Sequence, residues 1–419
     1  MQNSTFNMNE LCDITSSKRI YAADYKSDGI PFYRGKEITE KYRGNLDVSV
    51  ELFIDPVKFE QIRAKFGVPV AGDLLLTSVG TLGSPYVVKE GEEFYFKDGN
   101  LTWFRNFKGL DSRFLYYWLQ SPKGKAELKK CIIGSSQSAY TINLLKKMEI
   151  LLPHISTQRT ISAILSTYDD LIENNQKRVK ILEEMAQSLY SEWFVHFRYP
   201  GHESASLTDS PLGPIPEGWE VSKFSEVVFI DPQTIVARDG EKPFVPMTSL
   251  SINSMVINAI QYRDGNSGSK FRKGDTLLAR ITPCLENGKT AYVYELPLDY
   301  DVAFGSTEFI VLRSKKLCPE YVYLSARSEE FRNIAIKSMT GATGRQRVQK
   351  ECFDKILIAC PTLDVIKAFS EIVSPIFNLI HVLNDRRLNL CEARDLLLPK
   401  LISGEFEVSD EFMSKEDAA

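Results

Sequence analysis

Apolar residues recur in alternating steps of four and three along two stretches of the chain. In the first, Ile161, Leu165, Tyr168, Ile172, Asn175, Val179, Leu182, Ala186, Leu189 and Trp193 fill the two inward places of successive heptads, with Asn175 the polar member. Neither Pro nor Gly interrupts the run, and Lys177, Lys180, Glu183 and Glu184 fall on its outer face. This spacing predicts a helix over about residues 157–196 whose apolar seam needs a partner. In the second stretch, Phe369, Val373, Ile376, Ile380, Leu383, Arg387, Leu390, Arg394, Leu397 and Leu401 keep the same steps and predict a helix over about residues 364–403. Pro375 is expected to kink that helix or mark a late start, because proline removes one ladder hydrogen bond.

The two stretches are the most regular part of a chain written twice. The heptad series are offset by 208 residues throughout, as are Pro153 and Pro361 just ahead of them. Upstream, "LDSRFLYYWLQS" from Leu110 matches "LCPEYVYLSARS" from Leu317 at a shift of 207. "AGDLLLTSVG" around Gly72 matches "KGDTLLARIT" around Gly274 at 202, and "IPFYRGKEI" with Pro31 matches "KPFVPMTSL" with Pro243 at 212. Blocks in one order at nearly one shift are an internal duplication.

Short β-branched and aromatic runs between glycine turns, such as "DLLLTSV", "LTWFRNF", "TLLARIT" and "TEFIVLRS", predict strands, whereas "FLYYWLQ" and "YVYLSARSEEFRNIAIKSM" have helical spacing. Each copy is expected to be an α+β domain followed by a long helix. The predicted organisation is a first domain over residues 1–152, a central helix within 153–198, a Pro/Gly/Ser-rich connector over 199–218, a second domain over 219–360, a C-terminal helix within 361–404 and a polar tail over 405–419. The helices most simply pack on each other, through Ile161, Leu165, Tyr168, Ile172, Leu182 and Leu189 on one and Val373, Ile376, Ile380, Leu383, Leu390 and Leu397 on the other. Related by a pseudo-two-fold axis, they would form an antiparallel coiled coil. A helix of roughly 38 residues spans on the order of 57 Å, against roughly 34–36 Å for one turn of DNA.

Composition narrows the class without naming a partner. The chain is 43% hydrophobic and 25% charged, its net charge is −4, and its pI is about 5.8. If it binds nucleic acid, the positive charge has to be local. Seven scattered cysteines, none in a CxxC, argue against a disulfide framework or zinc site and fit a reducing cytoplasm. The N-terminus has no signal-peptide pattern, and no apolar run is expected to span a bilayer.

Recognisable catalytic motifs are absent from the sequence. An amino-methyltransferase needs an Asn/Asp-Pro-Pro-aromatic loop; Asp231-Pro232-Gln233-Thr234 and Asp55-Pro56-Val57-Lys58 lack its second proline and its aromatic, and are expected to be turns. No GxGxxG follows a strand, and there is no P-loop. His154, His196, His202 and His381 have no partner at zinc-site spacing.

Several segments together resemble the specificity subunits of type I restriction–modification systems. "SLYSEWFVHFRYPGHE" at 188–203 resembles the family's central block, "LGPIPEGWEV" at 212–221 the approach to its second recognition domain, and "LLLPKLISGEFEV" at 396–408 its C-terminal block. "PHISTQRTISAIL" at 153–165 is similar to its helix-start motif, with Gln158; the second copy, "PTLDVIKAFSEIV", lacks that glutamine. The resemblance implies a non-catalytic subunit with two target recognition domains, each reading one half of a split double-stranded DNA site. The helices would set the gap and dock two modification subunits carrying an adenine methyltransferase and its S-adenosylmethionine. Restriction subunits would complete the nuclease, with ATP also expected on partner subunits and no cofactor on this chain. The alternatives are a solitary bipartite DNA-binding protein or a coiled-coil adaptor without partner enzymes.

Reading DNA takes Arg or Lys for guanine, Asn or Gln for adenine, and Arg, Lys or hydroxyls for phosphate. One loop in the second copy, "MTGATGRQRVQK", offers Thr343, Arg345, Gln346 and Arg347; its counterpart "IIGSSQSAYTIN" offers Ser135, Ser136, Gln137, Ser138 and Tyr140. The turn after each "GD" strand is the second candidate, with Ser78, Thr81, Ser84 and Tyr86 in copy one and Arg280, Asn287 and Lys289 in copy two, preceded by Lys270, Arg272 and Lys273. Solvated surface loops would look the same. Trp193, Phe194, Phe197 and Tyr199 end the central helix, either closing the helix pair against the second domain or standing exposed as an anchor for a modification subunit.

Overall fold

Both heptad runs fold as helices. In the computed structural model, which describes residues 4–134, 137–342 and 344–408, Ile155–Tyr190 form one α-helix continued by a π-helical turn, Ser191–Val195, and Leu363–Ser403 form the other. Every heptad position named above is buried or half-buried. Pro375 does not delay the second helix, which begins twelve residues earlier at Leu363. Pro375 and Glu371, whose carbonyl loses its partner, are both exposed, so water can satisfy the broken rung.

The second helix is also long and apolar enough to cross a bilayer, contrary to the sequence expectation. Several of its large apolar side chains lie along one face: Phe369, Val373, Phe377, Ile380 and Leu383 are all buried in a protein core.

The chain divides into two units, and the division cuts both helices: Met1–Glu173 with Leu388–Ala419, and Asn174–Arg387. In the first unit, an antiparallel sheet has the order Asp13–Thr15, Leu101–Arg105, Leu74–Thr77, Pro85–Val87. A second sheet joins Ile30–Tyr33 to Tyr95–Phe96 in parallel. Strands Ser4–Asn7 and Glu149–Leu152 pair antiparallel, bringing the first and last strands of the domain together. Helix Ser112–Gln120 presents Phe114, Leu115 and Trp118 to Leu74, Leu76 and Phe104 of the first sheet, in a core that also holds Ile161 and Leu165 of the central helix and Leu398 and Leu401 of the C-terminal helix.

The second unit repeats the plan. Its antiparallel sheet has the order Val228–Ile230, Phe309–Ser314, Thr276–Ala279, Thr290–Tyr292. Its second sheet holds the parallel pair Lys242–Val245 and Ala303–Gly305, and Glu220–Lys223 pairs with Leu357–Cys360. Both copies are thus α+β, as expected. In the core of this unit, Ala186, Tyr190 and Trp193 of the central helix meet Phe369 and Val373 of the C-terminal helix. Trp193 and Phe194 are buried, with Phe369 at ring-centroid distances of 5.5 and 4.7 Å, while Phe197 and Tyr199 pack on Trp219 at 5.4 Å each. These aromatics therefore close the helix end against the second domain, and are not an exposed anchor.

Equivalent places in the two copies are held by different chemistry. Gln158 is buried; its Oε1 accepts from Asp111 N at 3.0 Å and its Nε2 donates to the carbonyls of Gly109 and Pro153 at 3.1 and 3.0 Å. Ile366, 208 residues on, fills the matching place with hydrocarbon. In the first unit, Asp169 accepts from Arg394 Nη1 and from the Tyr117 hydroxyl, both at 2.6 Å. The repeat shifts match Tyr117, Asp169 and Arg394 with Leu324, Phe377 and Ala186, all buried and apolar in the core of the second unit.

Candidate nucleic-acid interface

In the second domain the two loops singled out in the sequence become one surface. Strand Thr276–Ala279 runs on into Arg280, whose N donates to Glu308 O at 2.9 Å and whose O accepts from Val348 N at 2.9 Å. Ile281 then bridges Arg347, and Thr282 N donates to Gln346 O at 3.0 Å while Thr282 Oγ1 accepts from Gln346 N at 3.0 Å. The loop closes on itself through reciprocal Thr340–Arg347 backbone bonds of 3.0 and 2.9 Å. Gly341, at φ +131°, makes that closure possible; an added Cβ would sit 3.1 Å from Arg345 O.

Arg345 and Arg347 are exposed on this platform, Gln346 and Arg280 half-buried. Arg347 is gripped by Glu308: Nε lies 2.9 Å from Oε2 and Nη2 2.6 Å from Oε1. The Arg347 hydrogen bond holds the Glu308 carboxyl below its usual range despite partial burial. Arg280 Nε has no hydrogen-bond partner among the described residues. Beside this platform, Lys289 Nζ donates to Met247 O at 3.0 Å, Arg327 Nη1 to Gly288 O at 2.8 Å and Arg332 Nη2 to Glu286 O at 3.0 Å. Burial and the neighbouring Arg327 push the Arg332 guanidinium below its usual value, as expected where cations crowd with few counter-charges. Asn287 is exposed on the same turn.

The first domain builds the same junction. Val79 bridges Ala139, Tyr140 N donates to Ser78 O at 3.0 Å, and Ser78 N donates to Asn100 O at 2.8 Å. These partners precede those of the second domain by 202 residues for 78–79 and by 208 for 100, 139 and 140, the shifts already present in the sequence. Ser78, Asn100, Gln137, Ser138 and Ala139 thus stand where Arg280, Glu308, Arg345, Gln346 and Arg347 stand. Gly83, at φ +79°, leaves room for the Tyr140 hydroxyl, 3.1 Å from where a Cβ would be.

Not every residue nominated from the sequence reaches these surfaces. Thr81, Gln137 and Ser138 are exposed and Tyr140 half-buried, but Ser78, Ser84 and Tyr86 are buried. Ser78 Oγ is bound to Thr102 Oγ1 at 2.7 Å and the Tyr86 hydroxyl to Glu92 at 2.5 Å, so both hydroxyls are spent inside the domain. Ser84 packs at the turn, where its N donates to Thr77 Oγ1 at 2.8 Å. Arg272 and Lys273 flank the turn at the opposite end of strand Thr276–Ala279 from Arg280. Lys273 lies 5.4 Å over the ring of Tyr294, whose hydroxyl donates to Asn378 of the C-terminal helix. Lys270 folds back onto Gly268 O at 3.2 Å. Ser135, Ser136 and Thr343 lie outside the described residues. Glu308, Arg327 and Arg332 were not nominated; Glu308 precedes the strand Phe309–Ser314, and the two arginines come from the helices Pro319–Arg327 and Glu329–Lys337.

Comparison with known proteins agrees with the duplicated plan. The sequence model of the type I restriction modification DNA specificity domain matches twice, over residues 2–184 and 216–392. The MjaIX specificity subunit of a type I restriction enzyme from Methanocaldococcus jannaschii is 27% identical over 353 residues, covering 81% of this chain and 78% of that one. The MjaVIII specificity subunit of the same organism is 23% identical over 351 residues, covering 81% and 77%. In three dimensions the chain is similar to the S subunit of the type I restriction–modification system of M. genitalium, with a TM-score of 0.56, 15% identity and 96% of each chain covered. With two specificity domains, a repeated surface of loop-borne side chains in each, and relatives matched over most of their length, this chain belongs to the type I restriction–modification DNA specificity family.

Proposed function

We propose that each α+β domain reads one half of a bipartite DNA site through its loop junction, and that the two long helices, running antiparallel as a coiled coil, set the gap between the halves. The observation that carries this reading is the repeated junction, Ile281 with Arg347 in one domain and Val79 with Ala139 in the other. Each copy lays an exposed loop along the end of a core strand, a rigid platform with different side chains. The 36-residue central helix alone measures about 54 Å at roughly 1.5 Å per residue. That is more than one DNA turn of roughly 34–36 Å, so half-sites separated along the duplex suit such a spacer.

The chain is read as a non-catalytic subunit that acts with two modification subunits and with restriction subunits, which carry S-adenosylmethionine and ATP. Apolar side chains left exposed on the helices, Leu171, Ile181 and Met185 on one and Ile372 and Leu396 on the other, support docking of protein partners there. Selection of bound duplexes from a randomised library tests the reading: the full chain should enrich two short motifs at a fixed separation. A single contiguous motif, or no motif, would refute it.

A further inference from the structure

Arginine can serve DNA binding in two ways, as a phosphate clamp or as a reader of guanine, and the setting of Arg347 distinguishes them. Its Nε and Nη2 edge is fully engaged by Glu308, with Nε 3.1 Å from Oε1 and 2.9 Å from Oε2, and Nη2 2.6 Å from Oε1. The end-on edge, one Nη1 hydrogen beside the second Nη2 hydrogen, is not used in that fork. It is the edge that matches the O6 and N7 acceptors of guanine. A carboxylate against the guanidinium also weakens any attraction for phosphate, because its charge opposes that of the arginine at the same distance. The backbone of Arg347 is pinned on both sides, by Thr340 and by Ile281, so the side chain starts from a fixed base and loses less freedom on binding.

The duplication supplies an internal comparison. On the first domain the same two places hold Ala139 and Asn100, where neither the reader nor its carboxylate partner exists. We propose that Arg347, positioned by Glu308, contacts one guanine in the half-site read by the second domain, and that the first domain makes no such contact from its equivalent place. This rests on the bipartite reading above.

The experiment is duplex selection and competition binding with the full chain, comparing wild type with Arg347→Lys, Arg347→Ala and Glu308→Gln. Wild type should require guanine at one position of one half-site. Arg347→Lys keeps the charge but loses the two-pronged contact, and should lower discrimination at that position by about 5- to 150-fold with the other positions unchanged. Arg347→Ala should do the same without altering the dependence of affinity on salt. Glu308→Gln should relax the same position and strengthen binding to unrelated DNA, since a repelling charge is removed. The proposal is overturned if Arg347→Ala weakens all sequences equally and flattens the salt dependence by about one contact, the signature of a phosphate clamp. It is equally overturned if the selected half-site has no guanine that responds to Arg347. If wild type selects no paired motifs, the bipartite reading fails and takes this proposal with it; if paired motifs survive while Arg347→Lys changes nothing, this proposal alone fails. Both residues substituted, Arg347 and Glu308, have exposed or half-exposed side chains, and unchanged thermal melting excludes loss of folding.

Discussion

The Tyr117–Asp169–Arg394 group offers a direct test of how the helices choose each other. Asp169 takes two hydrogen bonds, one from a domain helix and one from the C-terminal helix, with 27% of its side chain exposed against 24% for Arg394. Breaking a fully buried pair costs about 3–5 kcal/mol, and an exposed one about 0–1 kcal/mol. At one-quarter exposure, and with Arg394 keeping Asp395 at 2.8 Å as a second partner, Asp169→Ala should cost about 2 kcal/mol. For a unit of about 200 residues that is a fall of about 4–8 °C in its melting transition, read by differential scanning calorimetry. The second copy shows how the same place is filled without charge, by Leu324, Phe377 and Ala186. The triple variant Tyr117→Leu, Asp169→Phe, Arg394→Ala should therefore recover to within about 1 kcal/mol of wild type, since apolar replacement of a whole buried group is commonly neutral. If Asp169→Ala melts with wild type, or the triple variant melts as low as Asp169→Ala, the reasoning is wrong.

Other consequences can be measured. Gln158→Leu strands the amide of Asp111 and the carbonyls of Gly109 and Pro153, and should cost about 2–3 kcal/mol in urea unfolding of the first unit. Glu183, expected on the outer face of the helix, is half-buried and accepts from Ser254 Oγ and Met255 N at 2.7 Å each; desolvation outweighs these bonds and pushes its carboxyl up. Its contribution is then complete below the unfolded value of about 4.3 and lost as pH rises through the higher folded value. Glu183→Gln, which keeps both bonds without the charge, should match or exceed wild type at pH 7, and wild type should gain on it as the pH falls; a difference that does not change with pH would refute this. Inserting one heptad into each long helix adds about 10 Å, so the selected gap should grow by about 3 base pairs at roughly 3.4 Å each; an unchanged gap would separate the helices from the ruler.

Much of this arrangement was legible from residue order. The four-and-three spacing located both helices and their buried faces, because that period depends only on local geometry and the need to cover a seam. The shifts of 202 and 208 reappear as backbone partners, Val79 with Ala139 and Ile281 with Arg347, since duplicated blocks keep their pairing. What stayed hidden depends on contacts far apart along the chain. Nothing near Arg347 signals that Glu308, thirty-nine residues earlier, holds it. Ser78 and Tyr86 looked available because hydroxyls often face water, but every residue of Leu74–Thr77 is buried, and the strand carries Ser78 inward with it. The C-terminal helix is long and apolar enough to cross a bilayer although no such run was expected, because a stripe that faces a protein neighbour can be as rich in Leu and Ile as one that faces lipid.

The strand pairs Ser4–Asn7 with Glu149–Leu152 and Glu220–Lys223 with Leu357–Cys360 tie the beginning of each domain to its end, right beside the start of the helix that follows. A domain closed in this way is a cassette whose two leads leave through one seam. Its interior can be exchanged for another of different loop chemistry without re-threading the chain, because the splice falls on two adjacent strands. On the reading proposed above, an exchange at these seams would change the half-site that a domain reads and leave both helices as they were.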